Sequence, residues 1–263
     1  MILDRLNDII KEDLEGEINI RGYNIKILRE DDCKDILLSV NQIIKDNRFI
    51  LQDLYPDLYP KTEYDIKNML GGKIVDKIAS EIFEIFSNIN NYRIFYINFE
   101  ERVKSILENI KNEAKNVNFD SNDIEEYVKL SMKIFSIYNL LNFVGFKFIK
   151  YSQENYCEIN NIPVKLKFVP DLLFEYKGNI IIGDVKFGKY RREYKNLVTV
   201  YAFLYESCYK EDVNYGILIF IDKDYNPNLE LFKLDDKIRS ETINLIKEKY
   251  RSLCEEIKRI QQH

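Results

Sequence analysis

The sequence predicts an α/β protein in which a helical first part packs on a mixed sheet in the second part. Before residue 144, apolar residues recur at the three- and four-residue spacing of amphipathic helices. After residue 144, short segments rich in Ile, Val, Phe and Tyr are separated by turns, which is typical of strands. At 263 residues, the chain has room for one large domain or for a core with an attached helical lobe.

The predicted helices of the first part have recognisable boundaries. Ser121 precedes three acidic residues in a first turn, where negative charge favours the start of a helix. A loop with two prolines, residues 54–64, separates two other helices. The predicted helices are residues 2–14, 32–46, 64–88, 100–115 and 122–143.

A predicted hairpin and a crossover helix organise the second part. Two apolar runs meet at Lys177-Gly178-Asn179, which predicts an antiparallel hairpin. A helix at about 192–209 lies between the next two strands, so we expect those strands to be parallel. The predicted strands are residues 144–151, 164–176, 179–187, 214–222 and 229–234, followed by a helix at 236–261.

Charge and hydropathy narrow the possible partners. The net charge of −5 argues against a general nucleic-acid coat, although a local basic patch can still bind phosphates. The amphipathic, acidic N-terminus is unlike a signal peptide, and no apolar run approaches the roughly 18 residues that span a bilayer. We therefore expect a cytoplasmic protein without a membrane partner.

Histidine and cysteine usage restricts the chemistry. The only histidine is His263, so mechanisms that need a histidine base or ligand are not expected. The four cysteines are dispersed without a CxxC pair, and we interpret them as buried thiols rather than a metal site. Catalysis would therefore depend on carboxylates, lysines, tyrosines and a bound metal. The cysteines are Cys33, Cys157, Cys208 and Cys254.

Three charged residues interrupt the apolar hairpin. Asp171 lies in its first run, and Asp184 and Lys186 end the second. Pairing about the turn brings Asp171 towards Asp184, and Asp184 and Lys186 share one face of their strand. Two carboxylates suit a hard divalent cation, and a lysine can stabilise charge developing on a phosphate. A buried Asp–Lys ion pair is the alternative, but it leaves Asp171 without a partner, so we favour a metal site.

A basic segment follows directly after Lys186. Next to the carboxylates, it is typical of a groove that tracks phosphates and stacks bases on tyrosines, although such a segment alone is usually a solvated face. We expect Tyr194 and Tyr201 to share one face of the following helix, with core packing as the alternative for Tyr201. The interleaved residues are Lys189, Tyr190, Arg191, Arg192, Tyr194 and Lys195.

These motifs resemble the PD-(D/E)XK nuclease superfamily, specifically its RecB-like branch. Pro170-Asp171 followed by Asp184-Val185-Lys186 matches the P-D…(D/E)-x-K signature. The segment LGGKIVD at 70–76 is similar to the upstream G-x-x-x-H motif, with Asp76 in the histidine position. The later helix is similar to the Q-x-x-x-Y motif: Tyr201 is present, but Leu197 replaces the glutamine.

Within that branch, the sequence is similar to the CRISPR-associated exonucleases of the adaptation module, in particular the archaeal Csa-type subgroup. IRGYNIK at 20–26, DDCKDILLSV at 31–40 and the segment 200–222 carry this similarity. It implies trimming of prespacer DNA, at single-stranded or frayed ends, before an integrase complex inserts it. It also implies a restriction-endonuclease-like core, a mixed central sheet flanked by helices, at 144–235, with the mainly helical region 1–143 packed on it and a C-terminal helix at 236–263.

The resemblance also implies roles for individual residues. Asp171 and Asp184 would bind Mg²⁺ or Mn²⁺ together with the Val185 carbonyl oxygen, and Lys186 would be the catalytic lysine. Asp76 would supply an upstream ligand, with Glu81 as the alternative. The DNA-binding residues would be Lys189, Arg191, Arg192, Lys195 and Tyr201.

The resemblance is incomplete at the cysteines, which leaves other functions open. Many relatives hold an iron–sulfur cluster with one cysteine near the N-terminus and three near the C-terminus. Cys33 matches the first position, but the final helix carries only Cys254, so no cluster is expected. A non-catalytic DNA-binding or scaffold subunit of the adaptation complex is the alternative function. A RecB-like nuclease from a repair system or a virus is a third.

Overall fold

The computed structural model describes residues 16–20, 23–28, 37–39, 46–87, 99–113, 121–149, 155–159 and 162–262. Elements are numbered along these residues. The strands are β1 (Gly16–Ile20), β2 (Tyr23–Leu28), β3 (Leu37–Ser39), β4 (Lys147–Phe148), β5 (Asn155–Ile159), β6 (Ile162–Phe168), β7 (Leu172–Tyr176), β8 (Asn179–Phe187), β9 (Val213–Ile221) and β10 (Pro227–Lys233). The helices are α1 (Asn47–Leu54), α2 (Glu63–Ser87), α3 (Phe99–Glu113), α4 (Ser121–Phe143), α5 (Tyr194–Tyr209) and α6 (Asp236–Gln261). The predicted helix 2–14 lies outside the described residues.

A mixed five-stranded sheet, called here the main sheet, has the order β10-β9-β8-β7-β4. Strands β8 and β9 are parallel and are connected through α5, whereas the other neighbours are antiparallel. This confirms the predicted α/β class with helices flanking a mixed sheet, and also the predicted crossover. The hairpin β7–β8 turns at Lys177 and Gly178, whose φ values of 50° and 77° match the two-residue turns that suit a twisted hairpin.

A second five-stranded sheet has the order β1-β2-β5-β6-β3 and was not predicted. Its strand β3 falls inside the predicted helix 32–46, so that prediction is wrong for residues 37–39. These residues pair in parallel with β6. A short apolar run fits a helix or a strand, and here the neighbouring strand decides. The region 1–143 therefore contributes strands as well as helices.

The chain changes sheets at Pro170-Asp171. The predicted single strand 164–176 is two strands, because β6 ends at Phe168 in the second sheet and β7 begins at Leu172 in the main sheet. Proline lacks the N–H that a continuous ladder needs, so an interruption here is physically expected. Asp171 consequently lies where the two sheets separate.

Helix α5 is enclosed by the two sheets. It contacts β8 and β9 of the main sheet, β1 and β2 of the second sheet, and α6. Every residue from Leu197 to Tyr209 is buried, as expected of a helix covered on all sides. On the other face of the main sheet lie α2 and α4, which pack together with α3. No described helix is long and apolar enough to cross a membrane.

Candidate active site

The hairpin register places the two predicted carboxylates side by side. Leu172 pairs with Gly183, so Asp171 follows at the position beside Asp184 on the neighbouring strand. Burial raises the pKa of Asp171 well above its usual range, and the charge and hydrogen-bonding contact of Asp184 raise it further. The predicted proximity of Asp171 and Asp184 is therefore confirmed.

Asp184 is a fully buried carboxylate with one lysine partner. Its relative exposure is 0%, and the Lys186 Nζ lies 2.9 Å from Oδ1 and 2.7 Å from Oδ2. The shorter contact lies outside hydrogen-bond geometry, so Oδ2 has no hydrogen-bond donor among the residues that the structure describes. The ammonium at 2.7 Å still offsets charge on this oxygen, so what the site holds in excess is the second carboxylate, Asp171.

Lys186 is held in its charged form. Burial acts against the ammonium, but the charges of Asp184, Asp171 and Asp76 outweigh this effect and raise the lysine pKa above its ordinary value. The side chain is 17% exposed, so it reaches solvent at the edge of the site. A lysine with this pKa donates hydrogen bonds and positive charge but does not accept a proton near neutral pH.

Helix α2 brings a third carboxylate to the same place. Asp76 is exposed, and its charge raises the pKa values of Asp171, Lys186 and Tyr201. Glu81, the alternative upstream residue, has Lys77 at 4.0 Å on its own helix. Asp76 is thus the upstream candidate whose charge acts on the hairpin residues.

Val185 lies between Asp184 and Lys186, but its side chain belongs to the opposite face of the sheet. It is 2% exposed and packs in the core formed with α2, α3 and α4. Alternation along a strand therefore directs Asp184 and Lys186 to the α5 side. The sequence predicted that the backbone carbonyl oxygen of Val185 is a metal ligand. This carbonyl lies in β8 between Asp184 and Lys186.

The charges of the carboxylates act on two buried tyrosines, one in the core on the α5 side of the main sheet and one in the core on the opposite side. Tyr201 on α5 is 2% exposed, and Tyr138 on α4 is 0% exposed. Burial raises both pKa values well above the usual range, and the charges of Asp171 and Asp184 raise them further. Tyr138 was not predicted, because its helical spacing is that of an ordinary core residue.

The predicted base-stacking role of Tyr201 is corrected by its burial. At 2% exposure, its ring is covered by the core and has no face open to a base. Burial and the neighbouring carboxylate charges raise the pKa of its hydroxyl, which therefore keeps its proton.

The basic segment is only partly available to phosphates. Lys195 forms an ion pair with Glu230, and the Arg192 guanidinium lies 3.9 Å from the Glu241 carboxylate. Lys189 and Arg191 are exposed and have no ion-pair partner among the described residues. These two residues are the cations that the segment offers to a phosphate.

The carboxylate site fits a hard divalent cation, whereas the described cysteines are dispersed. Mg²⁺ is usually bound through one or two carboxylates, with water and substrate completing its ligands. The carboxylates of Asp171 and Asp184 match that donor set, although no group of three or more His, Cys, Asp or Glu side chains among the described residues has metal-binding geometry. Cys208 is buried in α5, and burial raises its pKa to about 12. Cys33 lies outside the described residues.

Comparison with known proteins provides no independent assignment. No protein-family model matches the chain. No curated protein matches it either. The functional argument therefore depends on the residues of the site and on the motifs in the sequence.

Proposed function

We propose that this protein is a metal-dependent DNA exonuclease that trims DNA ends. One observation carries the proposal: two adjacent carboxylates, Asp171 and Asp184, share a buried site with one lysine, Lys186. A purely structural ion pair needs only one carboxylate for its lysine. The surplus of negative charge supports a cation-binding role.

Each residue would have a distinct role in this reaction. Asp171 and Asp184 would hold Mg²⁺ or Mn²⁺ with the Val185 carbonyl, and Asp76 would support them from α2. Bound metal supplies a water of lowered pKa and offsets charge on the phosphate. Lys186, which stays protonated, would orient the phosphate and stabilise the negative charge that develops on it.

A DNA substrate fits the surroundings of these residues. Lys189 and Arg191 are exposed beyond the end of β8, where they can contact phosphates on either side of the reacting group. The chain as a whole has a net charge of −5, so attraction of DNA must come from this local surface. We therefore place the path of the strand along residues 188–192.

The proposed cellular role is prespacer trimming in the cytoplasm, in partnership with a CRISPR integrase complex. This role rests on the sequence similarity to the adaptation-module exonucleases. A repair or viral nuclease would use the same chemistry. Reconstitution with an integrase and a prespacer with overhangs would separate them, since the proposed role requires that trimming increases integration.

A non-catalytic DNA-binding or scaffold subunit is the second candidate function. Leu197 occupies the position of the motif glutamine, and it is 0% exposed in the apolar core. The site therefore lacks the amide that the resemblance would place there. This candidate predicts DNA binding without hydrolysis in any metal.

The deciding experiment measures hydrolysis of end-labelled DNA with Mg²⁺ or Mn²⁺. We expect the wild type to shorten the DNA and Lys186→Ala to lose activity by at least about 100-fold. The substitution removes the positive charge that would stabilise the reacting phosphate. EDTA should abolish the activity. Equal hydrolysis by both proteins would assign the activity to a contaminant, and absence of hydrolysis in all metals would favour the binding subunit.

A further inference from the structure

We propose that Tyr190 is the surface on which the site holds one unpaired base of a single-stranded DNA end. This inference rests on the proposed function and assigns to it the side chain that would contact an unpaired base at the DNA end. It replaces Tyr201 as the aromatic residue that contacts a base. The argument depends on the position, the support and the exposure of Tyr190.

A short chain of contacts connects Tyr190 to the carboxylate site. The Lys186 Nζ lies 6.0 Å from the centroid of the Tyr194 ring, at the distance of a cation–π contact. The rings of Tyr194 and Tyr190 are 6.5 Å apart and nearly perpendicular, at 84°. One aromatic side chain thus separates Tyr190 from the lysine that contacts Asp184. A base on Tyr190 would neighbour a phosphate at Lys186.

Tyr190 is exposed yet firmly supported. Its relative exposure is 42%. Its ring also packs edge-on with Phe220 at 5.6 Å, and its hydroxyl donates to Glu230 at 3.2 Å. A large aromatic side chain held in place loses little conformational freedom when it binds a ligand. These contacts hold the Tyr190 ring in place, whereas a tyrosine that extends freely into solvent has no such contacts.

Two exposed cations flank Tyr190 along the chain, and the carboxylate that its hydroxyl contacts, Glu230, is ion-paired with Lys195. The flanking cations, Lys189 and Arg191, are exposed and have no ion-pair partner among the described residues. Alternation of cations with an exposed aromatic ring is the arrangement with which proteins bind single strands without reading their sequence. Tyr190 and its two neighbours therefore form a surface suited to one nucleotide and its flanking phosphates.

The need for an unpaired base follows from the geometry of a duplex. Inside a duplex both faces of a base are stacked on neighbouring pairs, so a side chain can reach a face only after the base is unstacked. Tyr190 therefore favours ends whose bases are already unpaired. The burial of Asp184 also favours an unpaired end, because a single strand reaches a recessed site more easily than a duplex does.

Binding without divalent metal tests this inference separately from hydrolysis. Fluorescence anisotropy in EDTA would compare a single strand of about 12 nucleotides with an abasic strand of equal length and charge. We expect Tyr190→Ala to weaken binding of the normal strand by about 5- to 100-fold and to leave abasic binding unchanged. Tyr190→Phe, which keeps the ring, should bind within about twofold of the wild type.

The matched control is Tyr64→Ala, which removes a tyrosine of 75% exposure from the start of α2. It should leave binding unchanged. Equal weakening on normal and abasic strands, no effect of Tyr190→Ala, or equal wild-type affinity for a blunt duplex would each overturn the inference. Because no metal is present, a protein that binds in this way but never cuts DNA would refute the proposed function and support the inference.

Discussion

Two of the described ion pairs are buried, Glu206–Arg239 and Asp184–Lys186, and they differ in how completely their hydrogen-bonding groups are satisfied. Arg239 donates to both carboxylate oxygens of Glu206, at 2.8 and 2.9 Å, and to the carbonyls of Leu234 and Val213. The Val213 N–H also donates to Glu206. This pair joins α5, α6 and β9, and its partners match on both sides.

The pair of Asp184 and Lys186 is different. Its lysine is surrounded by the charges of Asp171, Asp184 and Asp76, and its contact with Oδ2 of Asp184 lies outside hydrogen-bond geometry. Both pairs include a carboxylate that is at most 2% exposed. Burial of charge therefore does not by itself indicate function. An excess of one charge and an unsatisfied atom are more informative.

The largest effect on stability is expected from breaking the satisfied pair. Arg239→Ala leaves Glu206 buried without its partner, so it should lower the free energy of unfolding by about 3–5 kcal/mol. Chemical denaturation measures this change. Arg251→Ala, an exposed arginine on the same helix, is the control and should change it by less than about 0.5 kcal/mol. Similar losses in both variants would mean that the buried Glu206–Arg239 pair contributes no more to stability than an exposed arginine does.

An opposite effect is expected at the unsatisfied pair. Asp184→Asn removes one of three carboxylates around Lys186 and leaves Asp171 and Asp76 beside it. Measured in EDTA, we expect the free energy of unfolding to rise by about 0.5–2 kcal/mol, because active sites commonly sacrifice stability. The same variant should lose hydrolysis. A drop in stability comparable to that of Arg239→Ala would identify the pair as structural.

A smaller effect of the same sign is expected at Tyr138. Its buried hydroxyl has no hydrogen-bond partner among the described residues, whereas its ring packs on Phe83, Phe86 and Phe148. Tyr138→Phe keeps the ring and removes the unsatisfied hydroxyl, so thermal unfolding should show a gain of about 1 kcal/mol.

The control for this substitution is Tyr205→Phe. Tyr205 is also fully buried, but its hydroxyl donates to Glu211 at 3.3 Å. Loss of that hydrogen bond should lower the free energy of unfolding by about 0.5–1.5 kcal/mol. If both variants lose stability, the Tyr138 hydroxyl has a partner that stabilises the fold, and the expected gain is refuted.

Local patterns in the sequence predicted the parts of the fold that depend on neighbours along the chain. The turn at Lys177-Gly178 determined the hairpin register, and this register places Asp171 beside Asp184. The helix between β8 and β9 predicted their parallel pairing. The second sheet was missed because its strands come from distant parts of the chain, and short apolar runs do not identify their partners.

The sequence by itself determined the chemistry of this protein's candidate site, because residue types and hairpin spacing already combine two carboxylates with a lysine. Tertiary structure decided which further residues belong to the site. It brought the charge of Asp76 to the hairpin, buried Tyr201 and left Tyr190 exposed. Those outcomes depend on how α2 and α5 pack against the main sheet, and packing between distant segments is not encoded in any local spacing.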